Sequence, residues 1–177
     1  MQNKLLIFSD SHGFHDDLFK TIKKMRKEIT HVMHLGDGFR DYSKCLDIYD
    51  NIDFCFVPGN CDFGTNHATI FTLNVNNKKI IMTHGHYFDV KYSYDRICNY
   101  AAESSADICL FGHTHTPADF YHKGILMFNP GSISGSREFN CPTYGIINIY
   151  DSGKIGYSFI GINNKTHKEL YGNGYSE

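Results

Sequence analysis

The chain has 177 residues, enough for one domain with a sizeable core and with little room for two. Hydrophobic residues make up 41%, with 14 Phe and 12 Tyr, which excludes a disordered or collagen-like chain. A balance of 17 Lys and Arg against 19 Asp and Glu gives a net charge of -2, so the chain is not expected to grip long nucleic acid by counterion release; small or short substrates fit better.

From the N-terminus, Leu5-Leu6-Ile7-Phe8 is a short apolar run ending in Ser9-Asp10-Ser11-His12-Gly13, which reads as a buried strand delivering polar residues to a loop. An acid as early as Asp10 does not suit a signal peptide, and no apolar run approaches the ~20 residues that span a bilayer. The expectation is a cytoplasmic protein without a membrane partner. Its six cysteines form no Cys-x-x-Cys pair and read as reduced thiols, mostly core filler. A helix follows, with Leu18, Phe19, Ile22 and Met25 at helical spacing, Asp16 and Asp17 at its start and Lys23 and Lys24 towards its end. Strand-like runs then stop at Gly36-Asp37-Gly38 and at Pro58-Gly59-Asn60. This rhythm of strand, polar loop and helix is that of βαβ units, whose loops gather at the carboxyl ends of parallel strands.

The second half begins with a β-hairpin, residues 69–75 and 78–82 about an Asn76-Asn77 turn, ending in Thr83-His84-Gly85-His86. Tyr94, Ile97, Cys98 and Ala101 mark another helix, and a strand over residues 108–111 runs into Gly112-His113-Thr114-His115. Further strands are expected over residues 125–128, 144–150 and 155–162. Residues 1–162 read as a single domain and 163–177 as a polar, frayed C-terminal tail.

Taken singly, an Asp-x-His or His-x-His pair is weak, because such residues also serve turns. Placement changes the odds. Asp10-Ser11-His12, Gly36-Asp37, Gly59-Asn60, His84-Gly85-His86 and His113-Thr114-His115 each follow an expected strand, so all five should meet on one rim of the sheet. The chain also carries 11 His, and 14 Asp against 5 Glu, side chains that suit a borderline-metal site.

The order Asp-x-His, Gly-Asp, Gly-Asn-x-Asp, His-Gly-His, Gly-His-Thr-His resembles the calcineurin-like metallophosphoesterases, from about Lys4 to Ile162. The short chain and its Gly59-Asn60-Cys61-Asp62 loop look like the small prokaryotic phosphodiesterase branch. The resemblance implies a four-layer α/β/β/α sandwich with a two-metal site at the sheet ends. It makes Asp10, His12 and His115 ligands of one metal, Asn60, His84 and His113 ligands of the other, and Asp37 a bridge between them. Mixed imidazole and oxygen ligands suit two divalent transition metal ions rather than Mg or Ca: manganese first, with nickel, cobalt, iron or zinc as alternatives.

The expected activity is hydrolysis of a small phosphodiester by a hydroxide held between the metals. Asn60 and His86 are the catalytic candidates, His86 reading equally well as a loop residue. Asp62 reads as a group that steers a neighbouring residue or as an N-cap or Asx-turn residue; Asn129-Pro130-Gly131-Ser132 resembles a loop near the site in this family and alone reads as a turn; Arg137 reads as a phosphate clamp or, better, a surface salt-bridge partner. One departure is Cys61, which stands where many members have a His that protonates the leaving group; a thiol is a weak substitute. Two other readings compete. A non-catalytic binding scaffold of the same fold, such as the retromer subunit, would be expected to lose several ligands, and a phosphomonoesterase or nuclease fits poorly with Cys61 and the lack of a basic patch. A homo-oligomer is left open.

Overall fold

The computed structural model describes residues 2–46, 51–163 and 166–173. Its elements are β1 (Asn3–Phe8), α1 (His15–Met25), β2 (His31–His34), α2 (Phe39–Leu46), β3 (Asp53–Phe56), β4 (Ile70–Val75), β5 (Lys78–Thr83), a 3-10 turn (His86–Phe88), α3 (Asp95–Glu103), β6 (Ile108–Leu110), β7 (Pro117–His122), β8 (Ile125–Pro130), β9 (Thr143–Ile149), β10 (Ile155–Asn163) and β11 (Thr166–Gly172). The strands form a six-stranded sheet, β11-β10-β9-β1-β2-β3, and a five-stranded sheet, β4-β5-β6-β8-β7.

Strand alternation explains the layering. On β1, Leu5 and Ile7 belong to the cluster between the sheets, together with Ile80, Met82, Leu126, Phe128, Ile147 and Phe159. Leu6 and Phe8 point the other way, onto Leu18 and Ile22 of α1 and Cys45 of α2. In the second sheet Ile81, Cys109 and Met127 meet Ile97, Cys98 and Ala101 of α3. Two helices, two sheets and one helix thus stack as the expected α/β/β/α sandwich. The hairpin has its expected register, Val75 opposite Lys78, with Asn76 and Asn77 at φ 48° and 62° as a two-residue primed turn requires.

The topology places the site. β1, β2 and β3 run parallel, as do β5, β6 and β8, so the loops after these six strands open at the carboxyl ends of two facing parallel sets. Among the described residues no helix is long and apolar enough to cross a membrane.

Three elements escaped the sequence reading. α2 is only eight residues long and starts directly after the Gly36-Asp37-Gly38 turn. β7 is an edge strand with mixed exposure. β11 corrects the expectation of a frayed tail over residues 166–172; residues 164–165 and 174–177 of that expected tail lie outside the described residues. It pairs antiparallel with β10 across a bulge, and Leu170 and Tyr171 pack on the inter-sheet core, Tyr171 stacking on Phe159 at 4.4 Å between ring centroids. As an edge strand with one face in solvent it shows little apolar pattern.

Candidate metal centre

The loops after β1, β2, β5 and β6 hold Asp10 and His12, Asp37, His84, and His113 and His115. Their donor atoms form two close groups, Asp10 with His12 and His115, and Asp37 with His84 and His113, in each of which all donors lie within 4.8 Å of one another. The groups touch. His84 Nε2 lies 3.9 Å from Asp10 Oδ1 and 3.5 Å from Asp37 Oδ2, and His12 Nε2 lies 3.8 Å from both carboxylates. Ligands bound tetrahedrally to a cation at ~2.0–2.2 Å sit roughly 3.4 Å apart, and the spacings within and between these groups are close enough to be compatible with cation binding.

Three further observations fit a metal. Asp10 is fully buried, yet its Oδ1 makes no hydrogen bond of acceptable geometry, although His115 Nε2 is 3.1 Å away; a cation gives that oxygen a partner. His84 Nδ1 lies 2.6 Å from the Leu35 carbonyl. A carbonyl only accepts, so Nδ1 carries the proton and Nε2 offers its lone pair to the cluster. Finally, Asp10, His12, Asp37, His113 and His115 all have positive φ, between 45° and 70°. Strain of ~1–3 kcal/mol per residue persists only where the surroundings hold it, and here it turns side chains inward at once from several loops.

The charges agree. Burial would raise the Asp10 pKa, but His115, His84 and Ser9 outweigh it and lower it. For Asp37, burial is likewise outweighed by His84 and by the Cys61 N–H, and the carboxyl stays well below its usual range. Burial opposes charging His84, yet Asp37, Asp10 and the Leu35 carbonyl raise its pKa; surroundings that favour a proton there favour any other cation. Burial, the charge of His84 and Lys91 push His113 down to about 4, which keeps its lone pair free at neutral pH.

The support of these candidate ligands was legible only in part: Asp62 is the cap the sequence offered and residues 129–132 the turn near the site, but their partners across the fold were not. Asp62 accepts four backbone N–H bonds, from Asp37 at 2.7 Å, Gly38 at 3.0 Å, Phe39 at 2.8 Å and Gly59 at 2.9 Å. It caps the start of α2 and ties the Asp37 loop to the Gly59 loop. Gly59 itself must lack a side chain, since a Cβ would lie 2.1 Å from Asp37 Oδ1. Asn129 donates to the Gly112 carbonyl at 2.9 Å and to Thr114 Oγ1 at 3.0 Å, holding the His113 turn. Ser132 Oγ donates to the Asp10 carbonyl at 2.9 Å.

The remaining candidates divide. Asn60 is exposed, with its amide nitrogen 3.3 Å from Cys61 Sγ. His86 opens the 3-10 turn, its ring 5.3 Å from that of His84 and its Nδ1 buried without a hydrogen bond. Cys61 Sγ joins His12 and Asp37 in a third close group of donors, so a thiol does stand beside the ligands. Cys61 is exposed, yet local desolvation and the hydrogen bond and charge of Asp37 push its thiol up to about 11, which makes it a neutral group and a poor proton donor. Arg137, expected in a surface salt bridge, has none among the described residues; its backbone N–H donates to the His115 carbonyl at 3.0 Å.

A cleft of about 510 Å³ opens from this rim between His12, Asp37 and Cys61 on one side and α2 on the other. Comparison with known proteins agrees with the geometry. The sequence profile of the calcineurin-like phosphoesterase superfamily domain matches residues 4–152. The probable metallophosphoesterase YsnB of Bacillus subtilis is 33% identical over 146 residues, covering 82% of this chain and 83% of that protein. The phosphodiesterase YfcE of Escherichia coli is 29% identical over 99 residues, 51% of this chain and 50% of that one. The crystal structure of zinc-complexed Vps29 from Entamoeba histolytica shares the fold, with a TM-score of 0.77 at 21% identity over 94% of this chain and 96% of that one.

Proposed function

The chain belongs to the calcineurin-like phosphoesterase superfamily, and from that premise we propose that it is a cytoplasmic phosphodiesterase that hydrolyses a small phosphodiester with two divalent transition metal ions. One observation carries the reading: two adjacent carboxylate–imidazole groups, Asp10/His12/His115 and Asp37/His84/His113, around the buried and unbonded Asp10 Oδ1. Asn60 completes the second set, and Asp37 serves both. Manganese is the first candidate metal, with nickel, cobalt, iron and zinc also matching imidazole and carboxylate donors. Bound there, the ions supply a net positive centre that draws in a phosphodiester anion and makes water a nucleophile at neutral pH.

The chain's own residues do the rest. His84, locked by Leu35, and His113, held by Asn129 through its turn, fix one side of the centre, while Ser9 and Ser132 fix the Asp10 loop. Asp62 keeps the Asp37 loop at its distance from Cys61. With Cys61 neutral and weakly acidic, no strong proton donor faces the leaving group from that loop, and His86 is the remaining candidate on the rim. Diesters with good leaving groups should therefore be cleaved far better than alkyl diesters, a positioned acid being worth ~10²–10⁴-fold. Hydrolysis of a panel of aryl and alkyl diesters and monoesters by manganese-loaded protein, with bound metal counted on the same sample, tests the reading. Cleavage of aryl diesters at two metals per chain supports it. A fully metallated protein inert towards every diester favours the binding-scaffold reading, which the Vps29 likeness keeps in view.

A further inference from the structure

The cleft beside the metal centre has a second charged wall. Its acids are each held by hydrogen bonds: Asp41 Oδ2 accepts from Ser11 Oγ at 2.6 Å and from the Gly13 N–H at 2.8 Å, Asp62 accepts its four N–H bonds, and Asp37 Oδ1 accepts from the Cys61 N–H at 2.7 Å. Its cations are not. Arg40 and Lys44 line the cleft from α2, are exposed, and have no ion-pair partner among the described residues. At i and i+4 they share one face of the helix, roughly 6 Å apart along its axis. Phe63, also lining the cleft, is 86% exposed, the most open Phe among the described residues. An exposed ring beside two free cations suits a nucleobase stacked next to a phosphate.

We propose that Arg40 and Lys44 form a subsite for a second phosphate, with Phe63 stacking the adjoining base, so that the substrate is a short linear dinucleotide bearing a terminal phosphate. This rests on the phosphodiesterase reading and names its substrate class. Guanidinium and ammonium groups hold a phosphate by charge-assisted hydrogen bonds, and the bridging phosphate would then lie towards Asp37 and His12.

The test is calorimetric binding to the full chain of two dinucleotides with a neutral, uncleavable methylphosphonate bridge, one with and one without a 5′-phosphate. The phosphorylated probe should bind about 10-fold tighter, and Arg40→Gln with Lys44→Gln should abolish that ratio. Phe63→Ala should weaken both probes several-fold and leave the ratio intact. Equal affinity of the two probes, or no measurable binding of either, overturns the proposal. So does a preference that survives in the double variant, which would place the terminal phosphate at the metal centre. An unchanged affinity in Phe63→Ala removes the stacking contact. Because binding is read without turnover, a protein that shows the preference but cleaves no diester would refute the catalytic reading alone.

Discussion

β1 changes character within one residue. Leu5 to Phe8 are fully buried, and so are Ser9, Asp10 and Ser11 directly after them. The apolar half is governed by area and volume: Phe128 and Phe159 stack at 4.5 Å between the sheets, and each neighbour fills space. The polar half is governed by partners, and within it Asp10, like His12 just beyond, is held at positive φ. Burial is equal in the two regions, but one spends it on stability and the other on holding an unbonded carboxylate oxygen, Asp10 Oδ1, in place. Mutations should separate them cleanly.

The largest effect is expected at Asp37, whose carboxylate lies within reach of His12 and His84. Asp37→Asn should lower diesterase activity by more than the ~10–100-fold that follows loss of a group that merely orients a ligand, with metal content reduced and the melting temperature little changed. Steady-state rates and metal analysis on one preparation check this. Phe128→Ala should do the reverse, costing ~3–5 kcal/mol in urea unfolding while the folded fraction keeps its metal stoichiometry. If the stability loss and the metal loss came together in both variants, the two regions would not be separate.

Asp62 sharpens the comparison because it holds the Asp37 and Gly59 loops from outside the two donor groups. Asp62→Asn keeps one acceptor oxygen and loses the other, so activity and metal affinity should fall ~10–100-fold; a loss as large as that of Asp37→Asn would put Asp62 among the ligands. His34 gives a smaller, pH-dependent effect. It is fully buried, and burial pushes its pKa down to about 4, opposed by Asp62, Asp10 and Asp41. Between that value and the ordinary 6.5 the unfolded chain binds the proton and the folded chain does not, so this contribution is present above pH 6.5 and is lost as pH falls towards 4. From pH 7 to 5 the loss should be about 2 kcal/mol. Urea unfolding of metal-free protein at the two pH values measures it, and His34→Asn should flatten the slope.

The apolar half was legible because alternation along β1, β5 and β6 and the spacing on α1 and α3 write themselves into the sequence. The candidate ligands stood out for another reason: Asp10, Asp37, His84 and His113 each stand next to the end of an apolar run. What lay hidden was the wiring. Asp62 was readable as a turn cap, and it does cap α2, but its reach across to the Asp37 N–H leaves no periodicity. Asn129 and Ser132 read as a turn, yet they bond to Gly112 and to Asp10, 17 and 122 residues away. α2 was missed with them, and with it the cations that line the cleft.

The central claim is that two metal positions lie side by side, one held from His115 and the other from His113. Anomalous scattering from crystals of His113→Ala and His115→Ala grown with manganese tests it most directly. The account predicts that each variant loses a different ion, the one beside Asp37 and His84 in His113→Ala and the one beside Asp10 and His12 in His115→Ala. Loss of the same single ion from both variants would contradict it.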